Sequence, residues 1–143
     1  MQSSPTTLFV DTSAFKAFYD EEDEFHVKAR EFMDDIASKK TIVRGFITSD
    51  YVLDETITLI RFATSHSKAF EFAQAVTSSK ATRLVYVGQE NFLKALDLFS
   101  QASDKPWSFT DCVSFAIMRN LNLTTAFTFD PHFQQAGFHT LPR

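Results

Sequence analysis

Several residue types that mark particular protein classes are scarce in this sequence of 143 residues. Its single cysteine, Cys112, cannot form an internal disulfide, which fits a reducing cytoplasm, and we assign it to the core. The apolar runs are far shorter than the roughly 20 residues of a membrane-spanning helix, and the first residues, MQSSPTT, lack the basic and apolar regions of a signal peptide. The three glycines are isolated, which excludes a glycine-rich phosphate loop. We therefore expect a cytoplasmic protein without a membrane segment.

Positive charge is also scarce, with 14 Lys and Arg against 18 Asp and Glu and a net charge of −4. This balance argues against a protein that holds nucleic acid through bulk positive charge and leaves a local patch as the alternative. Phenylalanine is abundant, with 17 residues, and most of them fall at helical or strand spacing, which indicates packing. The length suits a single domain, residues 1–143, with residues 1–6 as a flexible tail.

Apolar runs that suit buried strands alternate with segments of helical spacing. Four such runs are present: TLFV, TIVRGFIT, RLVYV and TTAFTF. Helical spacing covers residues 13–39 with a break near residues 20–23, then 49–63, 67–76, 89–102 and the stretch from Ser108. Strands separated by helices require crossover connections, so we expect an α/β fold with a mostly parallel sheet and helices on both faces. The ligand crevice of such a sheet lies beyond the carboxyl ends of its strands.

Three aspartates are predicted to lie near that edge of the sheet. Asp11 follows TLFV, Asp130 follows TTAFTF, and Asp111 lies in the first turn of the helix that begins near Ser108. Each has a structural alternative, because aspartate commonly caps a helix or begins a turn. Ser108 and Asp111 in particular have the spacing of a capping box. The three aspartates therefore indicate a site only if another acid joins them.

The helix YVLDETITLIRF supplies that acid. A rotation of about 100° per residue places Asp54 on the polar side of the helix and Glu55 inside its apolar arc, with Leu59 and Phe62. A carboxylate on a buried face is costly unless it is paired or binds a metal. Four clustered acids would raise one another's pKa values unless divalent cations bound between them, and an all-carboxylate set favours Mg²⁺ or Mn²⁺ over zinc. Of the four histidines, His132 alone, two residues after Asp130, is placed by its sequence position near the site, and we interpret it as an ordinary polar residue.

The segments around the four acids resemble the acidic motifs of PIN-domain nucleases. FVDTSAF, YVLDETITLI, FTDCVSFAIM and FTFDPHFQQAGF match those motifs in order and spacing, from about Leu8 to Phe138, and are most similar to the small VapC-type toxins of type II toxin–antitoxin systems. The resemblance implies a PIN-like three-layer sandwich with four to five strands. It also implies that the four acids are catalytic and bind Mg²⁺ or Mn²⁺: Asp11, Glu55, Asp111 and Asp130. Three hydroxyls match positions that support the site or hold a phosphate, with helix capping as the alternative for each: Thr12, Ser13 and Thr110.

The activity implied by this resemblance is metal-assisted hydrolysis of RNA phosphodiester bonds, in which water is the nucleophile and the product ends are a 5′-phosphate and a 3′-hydroxyl. The implied partners are the RNA substrate, a small antitoxin whose C-terminal segment blocks the acidic pocket, and a second copy in a homodimer. Four basic residues are candidates for RNA contact, with a solvated surface charge as the alternative for each: Lys16, Arg44, Lys105 and Arg119.

Other functions are compatible with parts of the pattern. A stand-alone PIN nuclease of RNA processing would keep the same acids but need no antitoxin. A non-catalytic PIN-like binding module would use the acids only as caps and turns, and Glu55 argues against it because such a module has no need for an uncompensated acid in an apolar arc. A phosphatase of the haloacid dehalogenase type would need an aspartate two residues after Asp11, where Ser13 stands.

Overall fold

Five strands form one sheet in the computed structural model, which describes residues 5–143. They are β1 (Thr6–Val10), β2 (Val43–Ser49), β3 (Thr82–Val85), β4 (Thr125–Phe127) and β5 (His139–Leu141). Their order is β3-β2-β1-β4-β5, and every neighbouring pair is parallel. The predicted parallel α/β sheet is confirmed, and its carboxyl ends therefore share one edge.

Seven helices connect and cover these strands in the described residues. They are α1 (Thr12–Tyr19), α2 (His26–Ala37), α3 (Asp50–Ala63), α4 (His66–Ser78), α5 (Gln89–Gln101), α6 (Phe109–Asn120) and α7 (His132–Gln135). The predicted break near residues 20–23 separates α1 from α2. Asp20 and Asp23 produce it, because their carboxylates accept the backbone N–H groups of Glu22 and Phe25 and so turn the chain. None of these helices combines the length and apolar character needed to cross a membrane.

The two faces of the sheet carry different helices. In β1, Leu8 and Val10 pack with residues of α1 and α2, whereas Phe9 packs with residues of α5, α6 and α7. Successive side chains of a strand point to opposite faces, so this alternation places the sheet between two helical layers. The predicted three-layer arrangement is thereby confirmed. Cys112 is fully buried in the helical layer that packs with Phe9, as expected.

The central strand β1 runs directly into Asp11 at the carboxyl edge. The N–H of Asp11 donates to the carbonyl oxygen of Phe127, the last residue of β4, at 3.1 Å. The sequence predicted that β4 would continue through Phe129, which is wrong. The N–H groups of Phe129 and Asp130 donate to side-chain hydroxyls rather than to a neighbouring strand, so the chain leaves the sheet before it reaches Asp130.

The first four residues of the predicted tail, 1–6, lie outside the described residues. Thr6 already pairs with Val43 as the first residue of β1. That residues 1–143 form a single domain stays a prediction.

Candidate metal centre and active site

Asp11 ends β1 and caps the N-terminus of α1. It is only 4% exposed, and its Oδ2 accepts hydrogen bonds from the hydroxyls of Ser13 at 3.0 Å and Thr128 at 2.9 Å. These two hydroxyls in turn accept the backbone N–H groups of Phe129 and Asp130. The network ties the segment after β4 to the first turn of α1 and fixes the orientation of the Asp11 carboxylate.

The surroundings of Asp11 disfavour its negative charge. Burial raises its pKa from 3.8 to about 6, the charge of Asp111 acts in the same direction, and the hydrogen bonds from Thr128 and Ser13 partly oppose the rise. Within residues 5–143, no lysine or arginine forms an ion pair with Asp11 or with the other three predicted acids. A bound cation would remove this electrostatic cost.

Asp111 has two roles in the first turn of α6. It forms the predicted capping box: the Asp111 N–H donates to Ser108 Oγ at 3.0 Å, and the Ser108 N–H donates to Asp111 Oδ2 at 3.1 Å. The charge of Asp111 also raises the pKa values of Asp11 and Glu55, so it faces the other acids. Capping and membership of the acidic cluster are therefore compatible.

His132 links Asp111 to Asp130. Its Nδ1 lies 2.9 Å from Asp111 Oδ2 and 3.1 Å from Asp130 Oδ1. When both carboxylates are ionised, Nδ1 is the ring nitrogen that carries hydrogen, because ionised carboxylates only accept. The interpretation of His132 as an ordinary polar residue is wrong. The Asp130 carboxylate accepts the His132 N–H at 2.9 Å, and this tight turn directs the imidazole back towards both acids.

Glu55 enters the cluster from α3 and is half-buried. Burial is the main cause of its raised pKa, the charges of Asp111 and Asp130 add to it, and the hydroxyls of Thr12 and Thr110 oppose it. Neither hydroxyl makes a hydrogen bond of standard geometry to Glu55. Thr12 Oγ1 is buried and has no hydrogen-bond partner among the described residues.

The reason predicted for the burial of Glu55 is wrong in one respect. The apolar arc that contains it was expected to face the core, yet Leu59 is 43% exposed and Phe62 is 81% exposed. Helix α3 has apolar residues on more than one side, and the side that meets the rest of the protein is formed by Val52, Leu53, Thr56 and Ile60. Glu55 is desolvated by the cleft rather than by the core. Asp54 is exposed, as predicted.

All four predicted acids line one open cleft with a volume of about 420 Å³. Lys16 lines the same cleft, but its Nζ is held by Asp20 at 2.7 Å and Asp23 at 3.1 Å. Its charge is therefore paired with these two aspartates and not with the four predicted acids. Lys16 is the one predicted RNA-contact residue that reaches this cleft.

The other three basic candidates lie elsewhere. Arg44 is exposed near the start of β2, at the opposite edge of the sheet. Arg119 lies in the last turn of α6, about 12 Å along the helix axis from Asp111 at 1.5 Å per residue. Lys105 is exposed in the loop before α6 and pairs with Asp104 at 3.4 Å.

The donor set of the cleft suits a hard divalent cation. Each of the three aspartates uses one oxygen for the hydrogen bonds described above: Oδ2 of Asp11, Oδ2 of Asp111 and Oδ1 of Asp130. Across residues 5–143, the second oxygen of each accepts no hydrogen bond of standard geometry and can ligate a cation. A carboxylate oxygen of Asp111, a carboxylate oxygen of Asp130 and a ring nitrogen of His132 also lie within 4.8 Å of one another. Because carboxylate oxygens predominate, the cluster fits Mg²⁺ or Mn²⁺ better than zinc.

The sequence pattern did not reveal the roles of two residues of this centre. Thr128 donates to Asp11, and His132 contacts two of the acids. Both flank Asp130 at a distance of two residues, so the signal that could have found them was the segment T-F-D-P-H itself. That segment was interpreted as the end of a strand followed by a plain turn.

Comparisons with known proteins identify the family of the chain. A family model for the PIN domain matches residues 8–139. The chain is 34% identical over 131 residues to the 23S rRNA-specific endonuclease VapC20 of Mycobacterium tuberculosis, and the match covers 92% of this chain and 95% of that protein. The crystal structure of that Sarcin-Ricin loop cleaving toxin is similar, with a TM-score of 0.82 and 30% identity over 92% of this chain and 95% of its own. FitAcB from Neisseria gonorrhoeae shares the fold, with a TM-score of 0.67 and 13% identity over 94% of this chain and 96% of its own.

Proposed function

The chain belongs to the PIN domain family, and from this premise we propose that it is a metal-dependent endoribonuclease that hydrolyses phosphodiester bonds in RNA. The observation that carries the proposal is the convergence of four acids in one cleft, without a lysine or arginine paired to any of them in the described residues. We propose Asp11, Glu55, Asp111 and Asp130 as the catalytic and metal-binding residues.

A divalent cation, Mg²⁺ or Mn²⁺, held by these carboxylates would lower the pKa of a water molecule and offset the negative charge of the attacked phosphate. The chain prepares its ligands for this task through the hydrogen bonds that orient them. Ser13 and Thr128 hold Asp11, and the turn at His132 holds Asp130. We propose that the unpartnered hydroxyl of Thr12 completes the site, which would explain why it is buried without a hydrogen bond. With water as the nucleophile, the products carry a 5′-phosphate and a 3′-hydroxyl.

The similarity to VapC20 supports a narrower proposal about the substrate and partners. We propose that the substrate is a structured loop of ribosomal RNA, of the kind that VapC20 is named for, because the match spans 92% of this chain and 95% of that toxin. We further propose that the chain is the toxin of a toxin–antitoxin pair, acting in the cytoplasm as a homodimer. A small antitoxin would then block the cleft until it is removed.

The test is cleavage of a synthetic RNA stem-loop with the sequence of the 23S sarcin–ricin loop. We expect cleavage with Mn²⁺ or Mg²⁺, none with a chelator, and 5′-phosphate ends on the downstream product. Asp111→Asn and Glu55→Gln should abolish cleavage, whereas Asp54→Asn, which changes an exposed neighbour on the same helix, should retain it. A 2′,3′-cyclic phosphate on the product, or cleavage by all three variants, would contradict the proposal.

A further inference from the structure

Phe25 and Phe129 form a parallel aromatic pair in the wall of the acidic cleft. Their ring centroids are 4.8 Å apart and their planes differ by 4°. Both residues are partly exposed and both line the cleft that contains the four acids. By contrast, the buried contact between Phe115 and Phe133 has an interplanar angle of 84°. The two rings cover one face of each other, and the pair places aromatic surface in the wall of the cleft beside the proposed metal centre.

Both rings are held by the same residues that shape the cleft. The N–H of Phe129 donates to Ser13 Oγ at 2.9 Å, and Ser13 also donates to Asp11. The N–H of Phe25 donates to Asp23 Oδ1 at 2.9 Å, and Asp23 pairs with Lys16. The backbone beneath each ring is thus fixed before any ligand arrives. Little ordering would accompany the stacking of a ligand on this surface.

The charges around the pair indicate what it can bind. Asp23 and Glu24 line the cleft next to Phe25, and Lys16, the cation of this wall, is already paired. A phosphate would be repelled from this end of the cleft, whereas an uncharged nucleobase with a flat apolar face would not. The part of the cleft that contains the four acids would bind a phosphate through the proposed metal ion. The part that contains Phe25 and Phe129 suits a base.

We propose that Phe25 and Phe129 form a stacking platform for an unpaired base of the RNA, in a nucleotide close to the scissile phosphate. The inference rests on the proposed function, because a base reaches this surface only as part of a nucleic acid in the cleft. It makes the two phenylalanines positioning and specificity residues and restricts productive binding to loops or single strands, whose bases can be splayed out. Stacking of one base on an aromatic side chain strengthens binding by roughly 5- to 150-fold.

The experiment uses the sarcin–ricin stem-loop RNA in which 2-aminopurine occupies each loop position in turn, mixed with the protein and Mn²⁺ under stopped flow. Stacking quenches 2-aminopurine, so we expect a rapid loss of fluorescence for at least one RNA, before cleavage. Phe25→Leu and Phe129→Leu keep an apolar side chain but remove the flat ring. Each should raise KM at least about fivefold and remove the quenching.

Three further measurements separate stacking from a loss of folding. Phe129→Tyr keeps the ring and should behave as the wild type, and Phe70→Leu, an exposed position on α4 outside the cleft, should do so as well. Mn²⁺ affinity measured by calorimetry should be the same in all these variants. If the leucine variants do not fold, Phe25→Trp provides the test, because its indole fluorescence should be quenched when RNA binds.

The outcomes distinguish this inference from the proposed function. Quenching that is lost in the leucine variants, on RNA that the wild type leaves intact, would support the platform and contradict the nuclease. Normal cleavage with unchanged KM and quenching in both leucine variants would overturn the platform and leave the nuclease standing. The platform would also be overturned if the RNA does not bind, or if the fluorescence of the Phe25→Trp variant does not change when RNA binds.

Discussion

Nδ1 of His132 lies 2.9 Å from Oδ2 of Asp111, and this contact connects the start of α7 to the first turn of α6. The same nitrogen lies 3.1 Å from Oδ1 of Asp130. Its hydrogen is shared between two carboxylates, each of which keeps its other oxygen free of standard hydrogen bonds in the described part of the chain. His132 therefore acts on the proposed metal centre by orienting two of its ligands.

His132→Ala is expected to weaken Mn²⁺ binding by about 10- to 100-fold, the usual effect of losing a group that orients a metal ligand. Calorimetric titration of the purified variant measures the change. His139→Ala is the matched control, because His139 is exposed on β5 and contacts none of the acids. Equal Mn²⁺ affinity in the wild type and both variants would show that His132 only shapes the turn before α7.

Asp11→Asn is expected to stabilise the metal-free protein. Burial and the charge of Asp111 raise the pKa of Asp11 from 3.8 to about 6, which corresponds to a penalty of about 3 kcal/mol for the ionised side chain in the folded state. Asparagine carries no charge and keeps an oxygen that can accept from Ser13 and Thr128. Chemical denaturation at pH 7 with a chelator present should therefore show a gain of about 1–3 kcal/mol for the variant.

The pH dependence of this gain tests its cause. The folded pKa of Asp11 lies above the unfolded value, so its favourable contribution is complete below about pH 3.8 and is lost as pH rises through about 6. The advantage of Asp11→Asn should accordingly be absent near pH 3.8 and reach its full size above pH 6. Asp54→Asn, at an exposed site on α3, should show no such rise. A constant advantage across this range would assign the effect to packing instead.

Ser108→Ala separates the two roles of Asp111. Loss of the capping hydroxyl should lower the free energy of unfolding by about 1 kcal/mol, because the Asp111 N–H loses its acceptor. Mn²⁺ affinity should change little, since the Asp111 carboxylate keeps the Ser108 N–H and His132 as partners. Asp111→Asn should show the reverse pattern, with a retained cap and lost metal binding. A large loss of Mn²⁺ affinity in Ser108→Ala would mean that the cap hydroxyl itself orients the ligand.

Convergence of the acids could be predicted from sequence because it follows from strand direction. Asp11 comes directly after a run that suits a buried strand, and the helix that begins near Ser108 brings Asp111 to the same edge in a parallel α/β fold. The positions of Asp11 and Asp111 at this edge follow from the order and direction of strands and helices, without knowledge of side-chain packing. The overall fold and the convergence of these aspartates are therefore accessible from one sequence. Glu55 was assigned to the site through the resemblance to PIN-domain nucleases, because the apolar arc that contains it does not face the core.

The features that were predicted wrongly from the sequence depend on side-chain packing. Helix α3 carries apolar residues on several sides, and periodicity alone does not decide that Ile60 is buried while Phe62 is 81% exposed. Thr128 and His132 have no distinctive spacing, and their roles appear only when the chain turns at Pro131 and brings them against Asp11 and Asp111. Polar contacts between distant segments are set by the whole fold, so a local pattern does not reveal them.

Mn²⁺ is expected to reverse the order of stability of the wild type and the Asp11→Asn variant. Binding of Mn²⁺ to the folded state alone stabilises it by about 4.1 kcal/mol at a concentration one thousand times the Kd. The wild type should gain this amount, whereas Asp11→Asn, which lacks one proposed ligand, should gain much less at the same concentration. The variant should therefore unfold at the higher temperature in chelator and the wild type at the higher temperature in Mn²⁺. This exchange of order would assign the electrostatic cost at Asp11 to metal binding, because a purely structural aspartate would leave the order unchanged by Mn²⁺.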